Sequence, residues 1–257
     1  MHRLYYMLLG VLNKETSDSV DYIIALHILR YMKVLDGVSI QELADSCMVS
    51  KSTISRFCRK IGLEDYSDLM EEIHAADHPV KGDYVIPECD GTADDYLRET
   101  ENAVASLRKS LDTEKIERIA FEIANHETVY VMGSMQAYNP AASLQADLAM
   151  YEKIVFAPSV FTHQARAIHQ AGPEDLIIIF SNSGNFLERI LMNDHDRASL
   201  KEPQIWMITG NEKIHPDENI NEVITVSDNH TYMDHPLKFE LIAHLITISY
   251  AKYMENL

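Results

Sequence analysis

Three cysteines are all the thiol chemistry in this chain of 257 residues, and Cys47, Cys58 and Cys89 contain no Cys-x-x-Cys pair. An odd, unpaired set supports neither a disulfide framework nor a zinc site, so a reducing cytoplasm is the expected setting. Long apolar runs are missing too. A charged residue or a histidine interrupts every apolar stretch well short of the roughly 20 residues that span a bilayer, and a soluble protein with no membrane partner is expected. The run from Tyr5 to Leu12 resembles a signal-peptide core, but it is followed by Asn13-Lys14-Glu15 with no small-residue cleavage site and reads as the start of a helix. Basic residues are the third shortage: 22 Lys and Arg against 40 Asp and Glu give a formal charge of -18. Such a chain repels polyanions unless its cations are gathered in one place.

What is present is ordinary globular composition, 46% hydrophobic and 24% charged, which argues against disorder, collagen and rod-like coiled coils. The length fits one large domain or two modest ones. The first segment, 1–76, reads as helices only. From Val20 to Lys33 apolar residues recur at Ile23, Ile24, Leu26, Ile28 and Tyr31, a spacing that predicts a buried helical face. Ser39-Ile40-Gln41-Glu42 is a capping box, Ser50 can cap a helix running from Lys51 to Ile61, and Gly62 stands where a left-handed C-cap belongs. A further helix begins near Tyr66. Two prolines, two glycines and no helical period mark 77–91 as a linker. In 92–257, helices at Asp94–Leu111 and Thr113–Asn125 precede short β-branched runs at Val129–Met132, Ile154–Ala157, Leu176–Phe180, Ile205–Ile208 and Val223–Val226. Helical segments at Pro140–Met150, Val160–Gln170, Phe186–Leu200 and Pro236–Tyr253 separate or follow them. The fold class expected is an all-α helix-turn-helix domain joined to an α/β domain with a doubly wound, five-stranded parallel sheet.

Two places carry chemistry. On the helix Lys51–Ile61, the residues Ile54, Phe57, Cys58 and Ile61 share one face; Ser52, Arg56 and Arg59 point the opposite way, flanked by Lys51, Ser55 and Lys60. Between Ser50 and Ile61 four cations stand with no acid. Preceded by a capped helix and a short turn, with Ala44 at the close crossing, this is the layout of a helix-turn-helix whose second helix enters a major groove. Alone, a basic helix is more often a solvated face; the cap, turn, stop and unmixed face together favour DNA. The candidate DNA contacts are Lys51, Ser52, Thr53, Ser55, Arg56, Arg59 and Lys60, and Cys47 and Cys58 read as core residues rather than redox sensors.

The second place lies at two strand exits. The strand Leu176–Phe180 runs into Ser181-Asn182-Ser183-Gly184-Asn185 before a helix, and Val129–Met132 runs into Gly133-Ser134-Met135-Gln136 before a helix that Asn139 could cap. Hydroxyls and free N–H groups converging at the carboxyl ends of parallel strands suit an anion. A lone Ser-x-Ser-Gly is as often an ordinary turn, and Glu188, one helical turn further on, reads more simply as a surface glutamate than as a catalytic base. His163, His169, His230, His235 and His244 show no metal-ligand pairing, and neither a catalytic residue nor a cofactor is expected.

From about Ser39 to Leu69, and most closely in the Val49-Ser50 … Thr53 … Arg56-Phe57-Cys58-Arg59-Lys60 … Gly62 pattern, the chain resembles the helix-turn-helix of the RpiR family of bacterial transcription regulators. The resemblance implies a regulator with a second domain of the sugar isomerase (SIS) type that senses phosphosugars; the basic helix adds operator double-stranded DNA, and one helix-turn-helix per chain adds a homodimer or homotetramer, as the other expected associations. It implies phosphate contacts from Ser181 and Ser183 in a loop that usually reads Ser-x-Ser-Gly-x-Thr, opposite a Gly-x-Gly-x-Ser loop. The ligand-binding candidates are accordingly Gly133, Ser134, Gln136, Ser181, Ser183, Gly184 and Asn185. Phe186, Met135 and Ala137 depart from those patterns, standing where a Thr, a Gly and a Ser are expected. A phosphosugar isomerase with an added DNA module, and a regulator whose SIS-like domain only dimerises, stay open as alternatives.

Overall fold

Polar caps punctuate the first 77 residues into five helices, in a computed structural model that describes residues 3–77, 93–191, 200, 202–226 and 234–256. These are α1 (Arg3–Lys14), α2 (Val20–Tyr31), α3 (Ile40–Ser46), α4 (Lys51–Lys60) and α5 (Tyr66–Asp77). Ser19 opens α2 by accepting a hydrogen bond from the Tyr22 N–H. At the start of α3 the capping box closes in both directions, Ser39 N–H donating to Glu42 Oε2 at 2.8 Å and Glu42 N–H to Ser39 Oγ at 3.3 Å. The end of α4 is a Schellman motif: Gly62 at φ 95° lets its own N–H reach Arg59 O and the Leu63 N–H reach Cys58 O at 2.9 Å. Leu4, Leu8, Ile24, Ile28, Leu43, Ala44, Ile54, Phe57, Cys58, Leu69 and Ile73 form the core of this unit. The buried face of α2 is Ile24, Ala25 and Ile28, whereas Ile23 and Tyr31 are 42% and 50% exposed. Nine of the twelve α2 positions are apolar or aromatic and they surround the helix, so the sequence period could not fix which stripe turns inward.

The chain divides into two compact units, Met1–Val85 and Ile86–Leu257. Residues 78–91 of the expected linker, with Cys89, lie outside the described residues, as do His230, the His235 side chain and most of the helix expected at Phe186–Leu200. The second unit contains α6 (Ala93–Ser110), α7 (Thr113–Asn125), β1 (Thr128–Gly133), α8 (Tyr138–Ala149), α9 (Phe161–Gln170), β2 (Asp175–Phe180), β3 (Gln204–Thr209), β4 (Glu222–Thr225) and α10 (Asp234–Glu255).

Its sheet is parallel throughout, in the order β1-β2-β3-β4. The run at Ile154–Ala157, expected as a fifth strand, meets the outer side of β1 at a single bridge, Val131 N–H to Phe156 O and Phe156 N–H to Val129 O, both 2.8 Å. Pro158 follows immediately, and its missing N–H ends the ladder there. In chain order the spatial sequence is therefore 2-1-3-4-5, with the direction of winding reversing between β1 and β2. Val129, Val131, Leu176, Ile178, Phe180, Trp206 and Ile208 pack on one side with α7, α8 and α10. Met132, Ile177, Ile179, Ile205 and Met207 pack on the other with α9. This alternation along strands buried on both faces is why each run reads as continuously apolar.

Candidate functional site

The basic helix presents the side that its sequence spacing marks. Ile54, Phe57 and Cys58 of α4 are buried, while Lys51, Ser52, Arg56, Arg59 and Lys60 are exposed and Thr53 and Ser55 half-buried. Ahead of it, Met48 takes a left-handed φ of 56° and the Val49 N–H reaches Ala44 O at 2.9 Å, which reverses the chain between α3 and α4. At the N-terminus of α4 the Ser50 hydroxyl accepts from the Thr53 N–H and lies 2.7 Å from Ser52 Oγ and 2.9 Å from Thr53 Oγ1. Burial pushes the Cys58 thiol up to about 11, leaving it a core group rather than a nucleophile. The cations are not equivalent. Lys60 Nζ donates to Glu15 Oε1 at 2.7 Å and Asp21 Oδ2 at 2.5 Å, and these two hydrogen bonds, that to Asp21 foremost, raise its pKa. Among the described residues, Lys51, Arg56 and Arg59 are in no ion pair.

At the other unit, the Gly133 and Phe180 Cα atoms are partners across β1 and β2, so both candidate loops leave the sheet side by side at the point where winding reverses. Gly133 has no room for a side chain, since a Cβ there would stand 2.1 Å from Ala137 O. Its own carbonyl accepts from the buried Gln164 Nε2 at 2.8 Å, and the same amide donates to Pro158 O. Ser134 and Gln136 are half-buried, and Met135 takes a left-handed φ of 59°. Helix α8 begins at Tyr138 behind Ala137, so Asn139 lies inside the helix and does not cap it.

Ser181 is buried, its N–H extending the ladder to Ile208 O. Ser183 is exposed and donates its hydroxyl to Asn185 Oδ1 at 2.5 Å. Gly184, at φ 80°, has Ile214 where a Cβ would go. Phe186, in place of the expected Thr, is buried in the core with its ring edge-on to Phe161 at 6.5 Å. It adds apolar packing to the base of the loop, not a donor. A cavity of about 280 Å³ beside the loop is lined by Gly184, Glu188, Lys213, Ile214, His215 and Asp217 among others. Among the described residues no group of three or more His, Cys, Asp or Glu side chains is placed to hold a metal ion, and no helix is long and apolar enough to cross a membrane.

Sequence reasoning missed the groups that hold this loop. The Thr209 hydroxyl, fully buried at the end of β3, donates to Asn182 O at 3.1 Å and accepts from the Asn211 N–H, while Asn211 Nδ2 donates to Ser183 O at 2.8 Å. The available signal was a third strand exit, Thr209-Gly210-Asn211, with polar groups directly behind an apolar run. Lys238 is also buried, and is followed by Phe239, whose ring lies 5.6 Å from that of Phe180 at the end of β2. One lysine in a helical sequence gives no sign of its burial.

A helix-turn-helix with an exposed basic second helix is thus followed in this chain by a doubly wound α/β unit whose candidate loops leave at the switch point. Residues 12–77 match the profile described as the helix-turn-helix domain of the rpiR family, and that segment is an RpiR-type domain. No curated protein sequence matches the chain. Over nearly the whole length it is similar in fold to the Vibrio vulnificus NanR protein complexed with ManNAc-6P, with 15% identity and a TM-score of 0.54, covering 98% of this chain and 93% of that one. The sugar isomerase domain of an RpiR transcription factor from Sphaerobacter thermophilus matches with 15% identity and a TM-score of 0.50, covering 62% and 91% of the two chains. A Methanococcus jannaschii protein, whose structure infers a molecular function of 3-hexulose-6-phosphate isomerase, matches with 15% identity and a TM-score of 0.50, covering 63% and 92%. The second unit thus has the sugar isomerase fold.

Proposed function

We propose that this chain is a cytoplasmic transcription regulator that binds operator DNA through α4 and changes its DNA affinity when a phosphosugar occupies the second unit. The observation that carries the reading is the exposed, acid-free face of Lys51, Ser52, Arg56 and Arg59 in a chain of net charge -18. One reading helix per chain suits a homodimer or homotetramer on a pseudo-palindrome, with half-sites roughly 34–36 Å apart or a multiple of that. An Arg56→Ala change is expected to cost about 1–3 kcal/mol of operator affinity if the side chain reads a base. Unchanged binding in both Arg56→Ala and Arg59→Ala proteins would remove α4 as the reader.

For the effector, Ser181, Ser183 and the Asn185 N–H are the phosphate contacts of this reading, facing Ser134 and Gln136, while the Gly184 N–H is taken up by Ser181 O at 3.1 Å and holds the turn. The complex of NanR with ManNAc-6P, and the hexulose-phosphate isomerase function inferred for the Methanococcus protein, support the ligand class. Binding without turnover is the reading here, in keeping with the DNA-reading helix in the same chain; Glu188 and His215, which line the cavity beside the loop, are the groups an assay for turnover would replace. A second reading, in which this unit only dimerises, is favoured by the Ser183 to Asn185 hydrogen bond and by the burial of Phe186, which together leave the loop with fewer donors. Calorimetry with a panel of phosphosugars on the wild type and on Ser181→Ala/Ser183→Ala separates the two. Sub-millimolar binding lost in the double variant supports the effector site, whereas no binding by the wild type supports the dimerisation unit.

A further inference from the structure

The cations of α4 are not equally available. The N-terminal end of this helix offers Lys51 with the hydroxyls of Ser52 and Thr53, but Lys60 at its C-terminal end is met by Glu15, just after α1, and by Asp21 in the first turn of α2. One cation against two carboxylates brings these three side chains to -1, beside the exposed Arg59 of the same last turn. Lys60 stays 44% exposed and the carboxylates 23%, so solvent reaches all three groups and an approaching phosphate would meet them directly. As an exposed pair this contributes little to stability; its consequence is for the electrostatic field.

We propose that Glu15 and Asp21 are specificity-determining residues, an acidic clamp that withholds Lys60 from the DNA backbone and leaves Lys51, Arg56 and Arg59 as the cations of α4 that meet a duplex. This rests on the DNA-binding reading of α4. Non-specific affinity comes almost wholly from phosphates neutralised, whereas like charges brought together suppress wrong docking arrangements. Withholding one lysine lowers binding in registers that would place Lys60 on the backbone. The operator register, which keeps it away, is spared.

The test is the salt dependence of full-length protein on a short labelled duplex of random sequence, followed by fluorescence anisotropy. Freeing Lys60 in Glu15→Gln/Asp21→Asn should steepen the log–log slope by about 0.9 and tighten binding roughly eight-fold at 0.1 M salt, one further phosphate neutralised. Lys60→Ala alone should leave the wild-type slope unchanged, and adding it to the double variant should abolish the gain. The inference is overturned if the double variant keeps the wild-type slope, if its gain survives Lys60→Ala, or if Lys60→Ala alone flattens the wild-type slope by about 0.9. Should the double variant fail to fold by circular dichroism, the Lys60→Ala arm decides. Loss of binding in Lys51→Ala or Arg56→Ala with no effect of the acidic residues would overturn this inference while leaving α4 as the reader; a wild type that binds no duplex would sink both.

Discussion

Replacing Gly133 by alanine should damage the second unit out of proportion to one methyl group. The new Cβ would lie 2.1 Å from Ala137 O and 2.5 Å from Ala137 C, both backbone atoms, so no side-chain rotation relieves the overlap. Either the exit of β1 or the start of α8 must move by about 1 Å to restore van der Waals separation. Overpacking on that scale costs about 1–3 kcal/mol, and loss of the Gln164 hydrogen bond to Gly133 O adds roughly 1 kcal/mol. The chain's single tryptophan, Trp206, is fully buried in this sheet, so its emission follows this unit and not the helical one. With a urea m-value of about 2 kcal/mol/M, the predicted fall in midpoint is on the order of 1–2 M. Gly184→Ala provides the contrast. Its clash is with the flexible Ile214 side chain at 2.3 Å, so Ile214→Ala should remove part of the penalty and leave the roughly 1 kcal/mol of left-handed strain at φ 80°. A Gly133→Ala midpoint equal to that of the wild type would show that the β1 exit and α8 can separate at no cost.

Three further outcomes follow from single contacts. Ser39→Ala opens the capping box and should cost about 1 kcal/mol of helical-unit stability, read as a lower thermal midpoint by circular dichroism, with the Trp206 transition unmoved. Thr209→Val removes the donor to Asn182 O and the acceptor of the Asn211 N–H; it should cost about 1–3 kcal/mol and weaken phosphosugar binding in calorimetry by disordering the Ser181–Asn185 loop. Cys58, its thiol pushed up to about 11 by burial, should resist alkylation at pH 8 in the folded protein and react on unfolding, as followed by peptide mass.

Local chemistry decided what was legible in the sequence. The capping box at Ser39, the Ser50 cap and the Gly62 stop each satisfy backbone groups within a few residues, so their positions are written in adjacent letters. The strands Leu176–Phe180 and Ile205–Ile208 were visible because burial on both faces demands unbroken apolar runs. The inward face of α2 was not, because Ile23 and Ile24 are equally apolar and only the packing of α1 and α4 selects between them. The ion pairs of Lys60 join residues 39 and 45 positions apart, and no periodicity reports such a pairing. Likewise Thr209 and Asn211 support the Ser181–Asn185 loop from a neighbouring strand, a relation set by sheet order. Phe186 shows the reverse case: its departure from the expected Thr was plain in the sequence, but that it joins the core rather than the crevice needed the fold.

Enrichment of randomised duplexes on the full-length protein, with and without a mixture of hexose and N-acetylhexosamine phosphates, tests operator reading and effector response together. The predicted result is one enriched family of inverted half-sites centred a helical turn, or a multiple of it, apart, with occupancy shifted by a factor of roughly 5–150 by a component of the mixture. Enrichment of no sequence, or the same enrichment by an Arg56→Ala/Arg59→Ala variant, would contradict it.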